Sequence, residues 1–318
     1  MLGRCAVIAV LGGWLLATTA LLAEDQPNKA REGFAWKNGD KVVLVGGTVI
    51  EREQNSGQWE LALTRNIPAK NVTFRNLGWS GDTVWAESRG IFEPSDRSTP
   101  LGSNTGYVQL IELVKEQQPS VLIFGYGAVE AFAGPPGLEP FLKQYEKLIA
   151  DCQAVSTEGA RLILLGPMDM AAMQPPLPAP TAYNETVRVY QEAIRSMAQT
   201  IGATYVPMTM PPARHDEELR QITDNGQHLT SDGYARSALQ LVSALTPGMA
   251  KAIKTGDDTA LTQLIRKKNE YFFRRHRPQN VTYIFLFRKH EQGNNAADIP
   301  KFDPLIAELE HQISQTID

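Results

Sequence analysis

Lys41-Val42-Val43-Leu44-Val45-Gly46-Gly47-Thr48-Val49-Ile50-Glu51 decides how the rest of the chain is read. Val42 to Val45 form an unbroken, mostly β-branched apolar run, the pattern of a short buried strand. Gly46 and Gly47 end it, and a helical run begins at Val49. Thr48 therefore stands directly after a predicted strand. In open α/β sheets, ligands sit outside the carboxyl ends of the strands, so Thr48 is where chemistry belongs in such a fold.

Outward from this stretch the same alternation repeats. Strands are predicted over Asn71–Asn76, Ser120–Gly125, Arg161–Gly166 and Thr204–Pro207. Helices are predicted over Val49–Asn66 (kinked at Asn55-Ser56-Gly57), Tyr107–Gln118, Leu138–Val155, Thr181–Ile201 and Ser231–Leu245, the last with Ser231 as N-cap. Thr83 to Asn104 reads as irregular, and Pro167 to Pro180 as a long Pro- and Met-rich loop, of a length that usually walls a pocket. Apolar strands that alternate with helices need cover on both faces, which indicates a parallel sheet. Past Pro247 come a basic amphipathic helix, Leu261–Arg274, a strand-like or buried run, Thr282–Leu286, and a terminal helix, Asp303–Ile317.

The N-terminus differs in kind. Arg4 precedes an apolar run from Cys5 to Leu22, with small residues at Ala20 and Ala23 ahead of Glu24-Asp25. This is a secretory signal pattern with cleavage expected near Ala20 or Ala23. A retained anchor is the alternative, because the run is near the roughly 18 residues that can span a bilayer. Either way the body is expected to be extracytoplasmic, and after cleavage no stable membrane span is expected. Of the two cysteines only Cys152 would then remain, so no internal disulfide is expected. The resulting partition is residues 1–23 signal, 24–40 lead-in, 41–247 α/β domain and 248–318 a C-terminal extension packing on that domain.

Of the 318 residues, 21% are charged and 42% hydrophobic, and the formal net charge is −4, which excludes chain-wide attraction to nucleic acid or an anionic membrane. No nucleic-acid module and no phosphate-binding glycine loop are present. The five histidines lack ligand spacing, so no metal and no cofactor are expected. The residues leave the oligomeric state open.

Three loops follow predicted strands: Gly46-Gly47-Thr48-Val49, Asn76-Leu77-Gly78-Trp79-Ser80-Gly81-Asp82-Thr83, and Gly125-Tyr126-Gly127-Ala128-Val129-Glu130. A fourth segment, Asp224-Asn225-Gly226-Gln227-His228, precedes the last sheet-covering helix. In order and spacing these resemble the SGNH/GDSL hydrolase superfamily over roughly Lys41 to Leu245. That resemblance implies a three-layer α/β/α, flavodoxin-like parallel sheet and hydrolysis of esters, including acyl or acetyl groups on glycans. It also implies a role for each matching position. Thr48 stands where the family has its nucleophilic serine, and Gly81 matches the glycine that gives an oxyanion-hole amide. Val129 stands where the family has the oxyanion-hole asparagine. His228 matches the catalytic histidine, but Asn225 stands where its aspartate belongs.

Each replacement has a chemical meaning. Threonine's extra methyl restricts χ1 and crowds attack. Loss of one oxyanion donor costs about 10²–10³ in rate. Exchanging the histidine's aspartate for asparagine costs about 10⁴ in serine proteases. Thr48, Gly81, Asn225 and His228 are thus the catalytic candidates of a weakened set. The bland readings are that Thr48 caps its helix, that Val129 fills space and that His228 holds a loop.

Glu51, Trp79, Asp82, Val129, Glu130 and Asp224 are the binding candidates, because carboxylates converging on an aromatic can grip a sugar or a cation. The alternative is that Glu51 pairs with Arg52 or Arg75 and that Asp82 caps the following turn. The basic stretch Arg274–Gly293 either brings Arg288, Lys289, His290 and Glu291 over the cleft, binds a polyanion, or docks on the acidic body. Three functions stand after this reading: a degenerate cleft that binds a small-molecule or glycan ligand, a slow esterase using Thr48 and His228, and a structural protein that docks partners through its extension.

Overall fold

The structure, a computed structural model, describes residues 33–89, 105–247 and 259–317. The expected signal segment, residues 90–104 of the expected irregular stretch and the start of the extension lie outside the described residues.

Five strands, β1 (Lys41–Gly46), β2 (Thr73–Asn76), β3 (Val121–Gly125), β4 (Arg161–Leu165) and β5 (Thr204–Val206), make one sheet in the order β2-β1-β3-β4-β5. Every pairing is parallel. The strand alternation assigns two cores. Val43, Val45, Leu122, Phe124, Leu162 and Leu164 face one layer; Val42, Leu44, Val121, Ile123, Ile163 and Leu165 face the other. With both faces covered, each strand is apolar throughout, and each aliphatic side chain buried this way contributes about 1.5–3 kcal/mol.

The helices are α1 (Thr48–Ser56), α2 (Gln58–Asn66), α3 (Thr105–Gln117), α4 (Leu138–Ala154), α5 (Thr181–Ile201), α6 (Asp216–Ile222) and α7 (Ser231–Leu245), followed by the C-terminal α8 (Thr259–His276), α9 (Val281–Ile284), α10 (Lys289–Gln292) and α11 (Phe302–Ile317). α3, α4 and α5 cover the first face, α1, α2 and α7 the second. This is the three-layer α/β/α arrangement with a mainly helical C-terminal region. No helix among the described residues is long and apolar enough to cross a membrane.

Three local readings are corrected. Thr230, not Ser231, caps α7, because its Oγ1 accepts the Gly233 N–H at 3.2 Å. The run Thr282–Leu286 is not a strand; it enters the helical turn α9, which starts from Asn280 in the left-handed conformation. A short apolar run has no periodicity to separate strand from helix. Helix α6 was not foreseen; its first turn holds Asp216, Glu217 and Glu218, and His215 Nδ1 caps it by accepting the Glu218 N–H at 3.3 Å.

The break expected at Asn55-Ser56-Gly57 is a full helix end. Gly57 has φ +66°, and a Cβ there would lie 3.0 Å from Ile265 of α8. Glu53 closes the corner: its carboxylate accepts the Trp59 N–H at 2.8 Å, the Glu60 N–H at 3.2 Å and the Ser56 hydroxyl at 2.6 Å. It thereby satisfies amide groups that the start of α2 would leave open.

Burial nevertheless pushes Glu53 up to about 8 from 4.5. An acid raised on folding holds its proton more tightly when folded, so the stability it contributes is present below about 4.5 and is lost as pH rises to about 8. Glu130, pushed up to about 7 by burial, acts in the same sense. The thermal midpoint is therefore expected to fall between about pH 5 and about pH 8, and Glu53→Gln to flatten that decline. Differential scanning fluorimetry across the range checks this; an equal slope in the variant would remove Glu53 from the account.

β2 is an edge strand, and the C-terminal helices cover it. Lys268 of α8 donates to the Phe74 carbonyl at 2.9 Å and pairs with Glu60, while Arg75 pairs with Glu310 of α11. Leu61, Leu261, Ile265 and Ile313 form an apolar cluster behind them. An exposed edge is a template for aggregation, and this one is closed by its own chain.

Candidate active site

The strand order reverses between β1 and β3, and the crevice at that point lies at the carboxyl ends of the strands. The loops after β1 and β3 meet there with His228, around a cavity of about 60 Å³ lined by Gly47, Thr48, Val129, Met168, Met208 and His228. This is far below the roughly 300–1,000 Å³ of ordinary small-molecule sites. Among the described residues, no group of three or more His, Cys, Asp or Glu could hold a metal ion.

Thr48 is the first residue of α1, and Gly47 is its N-cap without any side-chain bond. The Thr48 Oγ1 instead accepts the Gly81 N–H at 2.9 Å. So the strand-end hydroxyl and the glycine amide that the resemblance pairs are in direct contact. Gly47 is constrained as well, since a Cβ there would lie 3.0 Å from the Asp82 carbonyl. The second loop is pinned by Asn76, which donates to the Ile50 carbonyl at 2.6 Å and accepts the Gly78 N–H at 2.9 Å. Gly78 packs so closely on α1 that a Cβ would meet the Glu51 nitrogen at 2.3 Å.

His228 lies on the same cavity wall as Thr48, without a hydrogen bond between the two side chains among the described residues. Its surroundings fix its chemistry. Asn225 Oδ1 accepts two backbone N–H groups, from His228 at 2.9 Å and from Gln227 at 3.1 Å. That orientation turns the Asn225 amide nitrogen to His228 Nδ1, at 3.4 Å. The amide can only donate there, so Nδ1 is the acceptor and the ring proton sits on Nε2. A catalytic histidine needs the opposite tautomer. Burial, helped by Arg52, lowers the His228 pKa, which Asp224 only partly opposes. Asp224 is itself engaged in an ion pair with Arg52.

The other binding candidates are held by partners that the sequence did not single out. Glu51 accepts from Ser80 and from Arg277, rather than from Arg52 or Arg75. Asp82 is fully buried against Arg89 at 2.6 Å, with the Tyr126 hydroxyl at 3.3 Å. Burial pushes its carboxyl up even with Arg89 beside it. Glu130 is buried and accepts the Val84 N–H at 2.9 Å and the Gly127 N–H at 2.8 Å, which ties the second loop to the third. Val129 lines the cavity and presents no donor. Two guanidinium groups lie over the Trp79 ring, Arg277 at 3.5 Å and Arg89 at 5.4 Å from its centre.

Arg277 is thus the part of the basic stretch that reaches this edge. Arg288 bonds instead to Tyr283 and Glu291, away from these loops. A lone arginine inside a run of basic residues carries no signal of its own. Only its fixed place, at the end of α8 over Trp79, gives it one.

Comparison with curated proteins gives no match. Among solved structures, an acetylxylan esterase from Geobacillus stearothermophilus is 13% identical, with 68% of this chain and 98% of that one covered and a TM-score of 0.46. A GDSL-like lipase from Bacteroides thetaiotaomicron is 14% identical, covering 65% of this chain and 88% of that one, with a TM-score of 0.42. A gut microbial diltiazem-metabolizing enzyme is 17% identical over 67% of this chain, which spans 48% of that protein's length, with a TM-score of 0.46. The GDSL-like Lipase/Acylhydrolase family matches the sequence over residues 25–236, which is most of the chain, and the protein belongs to that family.

Proposed function

We propose that this protein is an exported member of its family whose ester hydrolysis is weakened or lost and whose cleft is kept for binding a ligand, a glycan in our reading, with one small group of it in the cavity. The observation that carries the proposal is the Asn225–His228 contact at 3.4 Å, which leaves the ring proton on the nitrogen that should receive one. Val129 adds to it by offering no oxyanion donor. Export rests on the Arg4–Ala23 pattern.

A second reading, a slow esterase, is favoured by one contact, that of Thr48 Oγ1 with the Gly81 amide. Hydrolysis of p-nitrophenyl acetate separates the two. The purified protein is expected to stay within about twofold of buffer, with His228→Ala unchanged. A rate well above buffer that His228→Ala abolishes would establish the second reading instead.

A further inference from the structure

Two hollows flank the end of α8, and both are about ten times the size of the cleft. One, of about 620 Å³, lies between α1 and α8. The other, of about 690 Å³, lies between the end of α8, α3 and α9. Phe273 and Gln279 line both, so the two are neighbours on one surface. Each falls within the size range of small-molecule sites.

Side-chain amides line both hollows, beside charged residues in the first and mainly apolar ones in the second. Gln54, Asn55, Gln263 and Gln279 line the first; Gln109, Gln279 and Asn280, with the Thr282 hydroxyl, line the second. An amide offers an acceptor and two donors in one plane, a match for adjacent hydroxyl groups. Trp79, Phe273 and Phe285 supply ring surface between them, and Phe285 is 48% exposed. His276 also lines the second hollow. Its Nδ1–H donates to the Phe272 carbonyl at 2.7 Å, so Nε2 is a bare acceptor, and it has no hydrogen-bond partner among the described residues. Burial pushes the His276 pKa down to about 3, so the ring is neutral at any physiological pH.

All but one of the cations here are already matched. Arg277 pairs with Glu51, Arg274 and Lys267 with Glu270, and Arg275 with Glu116 and Asp303. Arg266 is left as the one cation of the two hollows with no partner among the described residues. One exposed charge is a weak lure for a polyanion.

We propose that the C-terminal region forms a second binding site, a trough for a neutral oligosaccharide that runs past the Arg277–Trp79 stack beside the cleft. The proposal takes its ligand class from the glycan reading above, and most of its lining from residues beyond position 236, where the family match ends, with Gln54, Asn55, Trp79 and Gln109 contributed from within it.

Calorimetric titration of the full-length chain with cellohexaose, xylohexaose and chitohexaose tests it, with polygalacturonate as the charged probe. At least one neutral hexasaccharide is expected to bind, with an affinity that changes less than about twofold between roughly 50 and 500 mM salt. The double variant Gln279→Ala/Asn280→Gly is expected to weaken binding by about tenfold or more. Both positions are exposed, and glycine keeps the left-handed backbone that Asn280 adopts at φ +60°, so folding is preserved. Thr48→Val and His228→Ala report on the cleft, and Gln199→Ala, exposed on α5, is expected to bind as the parent does. Binding by none of the neutral probes, or salt-sensitive binding of polygalacturonate alone, overturns the proposal. Binding lost in the cleft variants but kept in the double variant would also overturn it, while leaving the cleft reading intact.

Discussion

Asn225→Asp is expected to raise the hydrolysis of p-nitrophenyl acetate by about 10²-fold, and the triple variant Thr48→Ser/Val129→Asn/Asn225→Asp by roughly 10³–10⁴-fold. The geometry is prepared for the exchange. One carboxylate oxygen would inherit the two backbone N–H groups that Asn225 Oδ1 now accepts. The other would stand where the amide nitrogen now faces His228 Nδ1. That oxygen accepts a proton rather than offering one. Nδ1 then carries the hydrogen, and Nε2 becomes the base. The same charge raises the His228 pKa from its lowered value, which shifts the acidic limb of the pH–rate profile, where the base becomes protonated, to higher pH. Val129 already lines the cavity, so an asparagine there adds its amide to that of Gly81. The gains are not additive, because the three groups act as a unit. Steady-state kinetics of the parent, the single and the triple variant, with His228→Ala added to each, measures the effect. A folded triple variant that stays at the parent's rate would show that the side-chain exchanges at Thr48, Val129 and Asn225 are not what limits turnover.

How much of this was legible in the sequence depends on the range of the interactions involved. The strands were readable because burial on both faces makes each an unbroken apolar run, and the helices because their apolar stripes repeat; both signals are local. The four loops of the cleft were readable because each follows a strand or opens a helix at a family spacing. The state of the histidine was only half legible. Asn225 in place of aspartate could be seen in the sequence. That its oxygen is occupied by two backbone amides, and its nitrogen thereby turned to the ring, could not. Glu51, Asp82 and Asp224 looked like converging carboxylates because their partners, Arg277, Arg89 and Arg52, are identified by three-dimensional placement and not by spacing. The role of the C-terminal region was the least legible part. A basic amphipathic helix reads the same whether it lies in solvent or closes a sheet edge, and Thr282–Leu286 is too short for its period to declare itself.

Lys268→Met is expected to destabilise the protein by about 3–5 kcal/mol, which for a chain of this size corresponds to a fall in thermal midpoint of roughly 6–12 °C. Lys268 is 1% exposed and donates to both oxygens of Glu60, at 2.7 and 2.8 Å, and to the Phe74 carbonyl on the edge strand at 2.9 Å. Burial lowers the lysine's pKa and raises the carboxyl's even with the partner beside it. For both groups desolvation outweighs attraction, so the intact pair adds little net stability. Removing one member is a different matter, since the other is left charged and dry. Methionine keeps the stem's volume, which confines the effect to the charge. Glu60 without its cation is pushed higher still. An acid raised on folding stabilises at low pH and loses that contribution as pH rises, so the deficit of Lys268→Met is expected to be smallest near pH 5 and largest above neutrality. Glu60→Gln in the Lys268→Met background removes the stranded charge and is expected to restore more than half of the lost midpoint. Chemical and thermal unfolding of the parent, the single and the double variant reads all three expectations. A single variant as stable as the parent would mean that α8 contributes nothing through this contact, and that the edge of β2 is held by the Arg75–Glu310 pair and the apolar cluster around Ile265 instead.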